Sequence, residues 1–269
     1  MTSASVPAAP EFREPRRDTP NAIRVEIAIV LLITLGMSGL RSIVSIIEDQ
    51  IRAAQAGQQL SSQAVAVVAP QSDLNWIDLI RQLLSITQAV TWGVLGLYLL
   101  WRSGLAVKER FGLDLRHPWR DLASGAGLAA FIGVPGLGLY LVSHALGFSL
   151  TVVGSNLTDT WWRLPVSILA AIENGFLEEV LVVAYLITRL QDLRVRLWVA
   201  VAASALLRGS YHLYQGYGGF VGNAIMGVIF ALVFLRWRRL WPLVIAHSLI
   251  DIVVFVAYPL LQGKVSWLP

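Results

Sequence analysis

Apolar residues run almost unbroken through seven stretches of this chain, roughly 27–47, 79–101, 122–146, 164–190, 197–214, 220–235 and 240–261. Each is close to the ~20 residues that carry a helix across a bilayer. The pattern therefore predicts an all-α, polytopic helical membrane protein with about seven transmembrane helices. The connections alternate between rich and poor in Lys and Arg without a break, which places the N-terminus and the Arg236 to Arg239 loop on the cytoplasmic side. Nine of the ten Trp flank the ends of these stretches, as interfacial anchoring expects.

Composition agrees. The chain is 56% hydrophobic and only 14% charged, against about a quarter charged in soluble domains. The net charge of +4 reads as cytoplasmic loops facing anionic lipid, and no aromatic-basic pattern suggests nucleic acid as a partner. Cysteine is absent, which excludes disulfides, thiolate metal sites and cysteine nucleophiles. Residues 1–22, rich in Pro, Ala and Arg, are expected to form a disordered cytoplasmic tail. Residues 23–269 are expected to form one membrane domain, in which the connection 48–75 shows no clear pattern.

Against this apolar background the ionisable residues within the spans stand out, because such groups are costly in lipid and mark functional sites. The fourth span carries Glu173, Glu178 and Glu179; the fifth carries Arg208 and His212; the seventh carries His247 and Asp251. The last two pairs are spaced i, i+4 and share a helix face. At about 1.5 Å per residue, Glu179, Arg208 and Asp251 each lie roughly 16 Å from the cytoplasmic ends of their spans. A polar cavity between the fourth, fifth and seventh spans follows. Helix-to-helix pairing alone would need fewer groups; the isolated His117 and His144 carry no such reading.

A buried glutamate can serve as a general base, and His212 can share the proton of an activated water. His247 and Asp251 are placed to orient or stabilise a substrate carbonyl. Since neighbouring helical residues diverge by about 100°, one of Glu178 and Glu179 is expected to serve as base while the other meets Arg208. No HExxH helix, second aspartate for a dyad, or serine elbow is present.

The order EE on one span, H after a short connection and HxxxD on the last span resembles the CPBP family, membrane CAAX-type endopeptidases and bacteriocin-processing or self-immunity proteins. The resemblance covers roughly 164–258. It implies an intramembrane endopeptidase with catalytic positions Glu178, Glu179, His212, His247 and Asp251, in which Glu178 and His212 activate water and Glu179 alone is left to pair with Arg208. Three positions depart from the family pattern: Val183 stands where an Arg is usual, Arg208 where a Phe is usual, and Asp251 where an Asn is usual. Arg208 is expected to supply the missing arginine's charge from the neighbouring helix.

The expected partners are the lipid bilayer and a peptide or membrane-anchored protein substrate, in a bacterial plasma membrane. A divalent metal such as zinc is an open cofactor reading, with Glu178, His212 and His247 as candidate ligands. Two other functions use the same residues: a non-catalytic immunity or partner protein, and an ion or proton carrier.

Overall fold

The computed structural model describes residues 18–157, 159–261 and 264–265. Of the expected N-terminal tail, residues 1–17 lie outside the described residues, and helix α1 already begins at Pro20, where Thr19 accepts from the amide of Ala22. The helices in chain order are α1 (Pro20–Ile33), α2 (Leu35–Ala56), α3 (Asn75–Arg102), α4 (Val107–Arg110), α5 (Pro118–Ala145), α6 (Arg163–Glu178), α7 (Leu186–Asp192), α8 (Leu197–Ser210), α9 (Tyr217–Trp237), α10 (Trp241–Ile252) and α11 (Tyr258–Leu261). Wider π-helical segments, Glu179–Tyr185 and Val253–Ala257, join α6 to α7 and α10 to α11.

The protein is a mainly helical integral membrane protein. Among the described residues, α3, α5 and α9 are long and apolar enough to cross a membrane, and the pair α1 and α2, bent by 50°, makes a fourth if it counts as one span. Thr34 sits at that bend with its hydroxyl donating to the Val30 carbonyl, a local bond that competes with the helical ladder. The other apolar stretches are α-helices of 16 residues or fewer, two of them interrupted by π segments. Large apolar side chains point outward on α2, α3 and α5, Val44, Leu84, Phe131 and Val134 among them, each more than 60% exposed. Such a surface suits lipid and not water. Trp76, Trp101, Trp119, Trp161 and Trp198 are exposed at helix ends, where a membrane interface would take them.

The all-α expectation needs one correction. Strand β1 (Ala64–Val68) pairs in parallel with β2 (Thr151–Ser155), in a region where the sequence showed no pattern. The strands lie 87 positions apart in register, as Ala64 opposite Thr151 shows. Five-residue runs joined over that distance leave no local signal. His144 has a structural place here, its Nε2 within 2.9 Å of Thr151 Oγ1.

The core gathers around the π segment Glu179–Tyr185, all seven residues of which are buried. Helix α6 packs closely on α10 because Gly175 has no side chain: a Cβ there would lie 2.6 Å from Ser248 Oγ and 2.9 Å from the Ser248 amide nitrogen. Gly175→Val is expected to overpack this crossing, cost about 1–3 kcal/mol and lower the melting temperature in detergent. A variant that melts like wild type would show that the crossing tolerates separation.

Two arginine forks hold the bundle at other points. Arg189 donates from Nε and NH2 to both carboxylate oxygens of Glu26, at 2.8 and 2.9 Å, and Tyr185 adds a bond of 2.9 Å to the same glutamate. This fixes α1 against the end of the π segment. Arg239 grips Asp121 through both oxygens, at 2.8 and 2.6 Å, tying the turn between α9 and α10 to the start of α5. Gly112, with φ of +56°, lets the chain pass 2.7 Å from the Arg239 stem at the point where a Cβ would sit.

Candidate functional site

Glu178 ends α6 and Glu179 opens the π segment. Both side chains are buried, at 2% and 0% exposure, and both meet Arg208 of α8, itself fully buried. Arg208 NH1 donates to Glu178 Oε2 at 3.1 Å and NH2 donates to Glu179 Oε1 at 2.7 Å. The expectation that only Glu179 pairs with Arg208 is therefore corrected. A guanidinium carries its donors in a rigid fork, so one side chain spans two acceptors.

The surrounding side chains divide the two carboxylates' environments. Tyr211 donates to Glu178 Oε2 at 2.6 Å. His247 of α10, 1% exposed, approaches Glu179 Oε1 with Nδ1 at 2.8 Å. A carboxylate only accepts, so Nδ1 carries the proton. The ring's other nitrogen lies 3.6 Å from Asp251 Oδ2 and 4.0 Å from Glu178 Oε2. Asp251 in turn accepts from Asn174 Nδ2 at 2.7 Å. Phe230 of α9 closes the arrangement from beneath, its ring centroid 5.4 Å from Arg208 Cζ and 6.0 Å from the His247 ring.

The free oxygens differ as well. Glu179 Oε2 and Arg208 Nε are sealed without a hydrogen-bond partner. Glu178 Oε1 is not among the sealed unpartnered atoms. His212 follows α8 and is half-buried, with Nδ1 at 3.0 Å from the Arg208 carbonyl. Because a carbonyl only accepts, Nδ1 is the protonated nitrogen, and Nε2 of the neutral ring keeps its lone pair. His212 is close enough to Glu178 to feel its charge. Glu173, half-buried one turn toward the start of α6, lies within the same reach of Glu178 and Asp251.

All five residues singled out from sequence, and Arg208, thus belong to one neighbourhood built by α6, the π segment, α8 and α10. Tyr211, Asn174 and Phe230 are additional. Tyr211 and Asn174 had a weak signal, a polar residue one position from His212 and four before Glu178. Phe230 had none, being one aromatic among the apolar positions of α9.

The candidate metal set does not fit an ion as it stands. Among the described residues no group of three or more His, Asp or Glu is arranged to hold one. The Glu178 oxygen that faces His247 already accepts from Arg208 and Tyr211. A divalent cation there would sit against a permanent positive charge.

Buried acids, histidines and an arginine thus meet where α6, the π segment, α8 and α10 of a helical membrane protein converge. Residues 160–253 match the model of the family described as Rce1-like, Type II CAAX prenyl endopeptidase Rce1-like. That segment, about a third of the chain, is similar to a CAAX-protease-type domain and contains every residue of the cluster. The resemblance to the membrane CAAX-type endopeptidases read from the order EE, H, HxxxD holds. No curated protein and no solved structure matches the chain.

Proposed function

We propose that the protein is an intramembrane endopeptidase that hydrolyses a peptide bond of a membrane-associated peptide or protein with a glutamate- and histidine-activated water. The observation that carries this reading is the asymmetry of the buried carboxylates: Glu178 has one oxygen anchored and the other unsealed, beside a histidine whose Nε2 is an acceptor. In this scheme water gives its proton to Glu178, assisted by His212, and its oxygen attacks the carbonyl carbon. Held as an imidazolium between the Glu179 and Asp251 carboxylates, His247 donates from its second nitrogen to the oxyanion that forms. Glu178 then returns the proton to the departing amine nitrogen as the C–N bond breaks.

Asp251 serves in this scheme as an acceptor that holds Asn174 and faces His247. Arg208 neutralises charge and sets the distance between the carboxylates. The residues need no metal for these steps, and a chelator is expected to leave hydrolysis unchanged within about twofold. Loss of activity on chelation, restored by zinc, would reverse the metal reading.

The site belongs in this reading to a seven-span protein with its N-terminus in the cytoplasm, consistent with the alternating basic loops. Reporter fusions at Gln59 and Trp237 are then expected on opposite sides of the membrane; the same side for both would end the topology. The direct test of function compares membrane proteomes of cells carrying wild type or Glu178→Gln. Membrane proteins that are processed only with wild type are expected. Identical proteomes favour the competing reading, a non-catalytic immunity or partner protein, which draws on the ion pairing of both carboxylates with Arg208.

A further inference from the structure

The two-stranded sheet lies over the residues just described, and among the described residues its outer edge is open. The segment leading into β2 pairs antiparallel with the turn after His212, through the bridge of Ser149 with Gly216 and the bond from Leu150 N to Gln215 O at 3.1 Å. At its other end β2 rests on the backbone just past Asp251: a Cβ at Gly154 would lie 1.8 Å from the Val254 carbonyl oxygen. Strand β2 therefore runs from the His212 side of the site to the Asp251 side. β1 is anchored in the same way, Val65 packing near Leu213 and Leu150, and Val68 near Trp162 and Phe255.

The backbone of β1 shows which groups face outward. Thr151 N donates to the Gln63 carbonyl, so Gln63 points toward β2. In a parallel pair alternate residues face the partner. Val65 and Val67 then face β2, while Ala64 and Ala66 turn their amides and carbonyls away. The bond from Val152 N to Tyr140 Oη at 3.0 Å obeys the same alternation on β2. Among the described residues no hydrogen bond meets the outward groups of Ala64 or Ala66, and Ala64 is exposed. The strand, Ala-Val-Ala-Val-Val, has none of the charges or prolines that guard edge strands against pairing.

Resting on the reading of the site as a peptide hydrolase, we propose that the open edge of β1 receives an extended segment of the substrate as a third strand, positioning the polypeptide beside the buried glutamates. Outward amides and carbonyls in strand register are complementary to an extended peptide backbone and tolerate varied side chains. A hydrolase that must expose a peptide bond gains from holding its substrate extended, because a helix shields its backbone. A second copy of the chain is disfavoured as occupant: five small residues offer far less than the ~800 Å² per partner of a stable interface.

The test uses full-length Glu178→Gln protein in lipid nanodiscs, so that no hydrolysis is required. The probe is a fluorescein-labelled Leu/Ala transmembrane peptide with a Val-Thr repeat flank, paired with a twin N-methylated at alternate flank residues. The unmethylated probe is expected to bind at least about tenfold tighter. Ala66→Pro, which removes an outward amide and spares the β1 to β2 ladder, is expected to erase that preference. Slowed hydrogen exchange at the Ala64 and Ala66 amides on binding is expected in the protein without proline. Equal affinity for both probes, unchanged exchange at these amides, or pairing of two protein copies through β1 would each overturn the proposal. Binding with these signatures alongside unchanged proteomes in the Glu178→Gln comparison would uphold the strand site and reject the hydrolase.

Discussion

Arg208→Met is expected to be the most damaging single substitution in this protein. The guanidinium lies fully buried between two carboxylates and has no solvent to replace it. Methionine matches its length and leaves Glu178 and Glu179 as like charges in an apolar wall that includes Phe230. Removing one partner of a buried ion pair costs about 3–5 kcal/mol, because the charge left behind loses its compensation. The melting temperature in detergent should fall accordingly. The signature of the mechanism is non-additivity: Arg208→Met should cost less in Glu178→Gln and in Glu179→Gln backgrounds, with coupling to each glutamate above about 0.5 kcal/mol. If the loss is the same in all three backgrounds, Arg208 fills space and does not balance charge.

The second large effect separates the two glutamates by activity and stability. Glu178→Gln keeps an acceptor for Arg208 and Tyr211 but has no carboxylate to take a proton. Hydrolysis of the processed membrane proteins should drop by at least about 100-fold, within the range for loss of a general base. Its melting temperature should change little. Glu179→Gln alters a residue that bonds both Arg208 and His247 while its second oxygen is sealed away. It should therefore keep part of the activity and lose more stability. A Glu178→Gln protein that still cleaves, beside a Glu179→Gln protein that is inactive and equally stable, would exchange the two roles.

The reading of charge along the chain went further for depth than for direction. Counting residues along helices at a fixed rise placed Glu179, Arg208 and Asp251 at one level, and the structure brings their segments together. Glu178 and Glu179 both keep α-helical backbone angles and still meet one cation, because the guanidinium fork of Arg208 spans two diverging acceptors. Where α8 lies to bring that fork between them is not written in the letters EEVLVVAY.

The medium and the chemical inventory can be read along the chain. Long apolar runs require lipid or burial, and costly charges placed within them must converge on one another. The order EE, H, HxxxD also carried the resemblance to the CAAX-type endopeptidases. Which atoms meet is visible in the folded protein alone. It assigned the proton on His212 through the Arg208 carbonyl and set Asn174 against Asp251 across 77 positions. It also joined Ala64–Val68 to Thr151–Ser155 above the site. The physical reason is the same in each case: transfer into a bilayer is a sum over residues that can be read along the chain, whereas hydrogen-bond geometry depends on distances between segments, and those are set by packing.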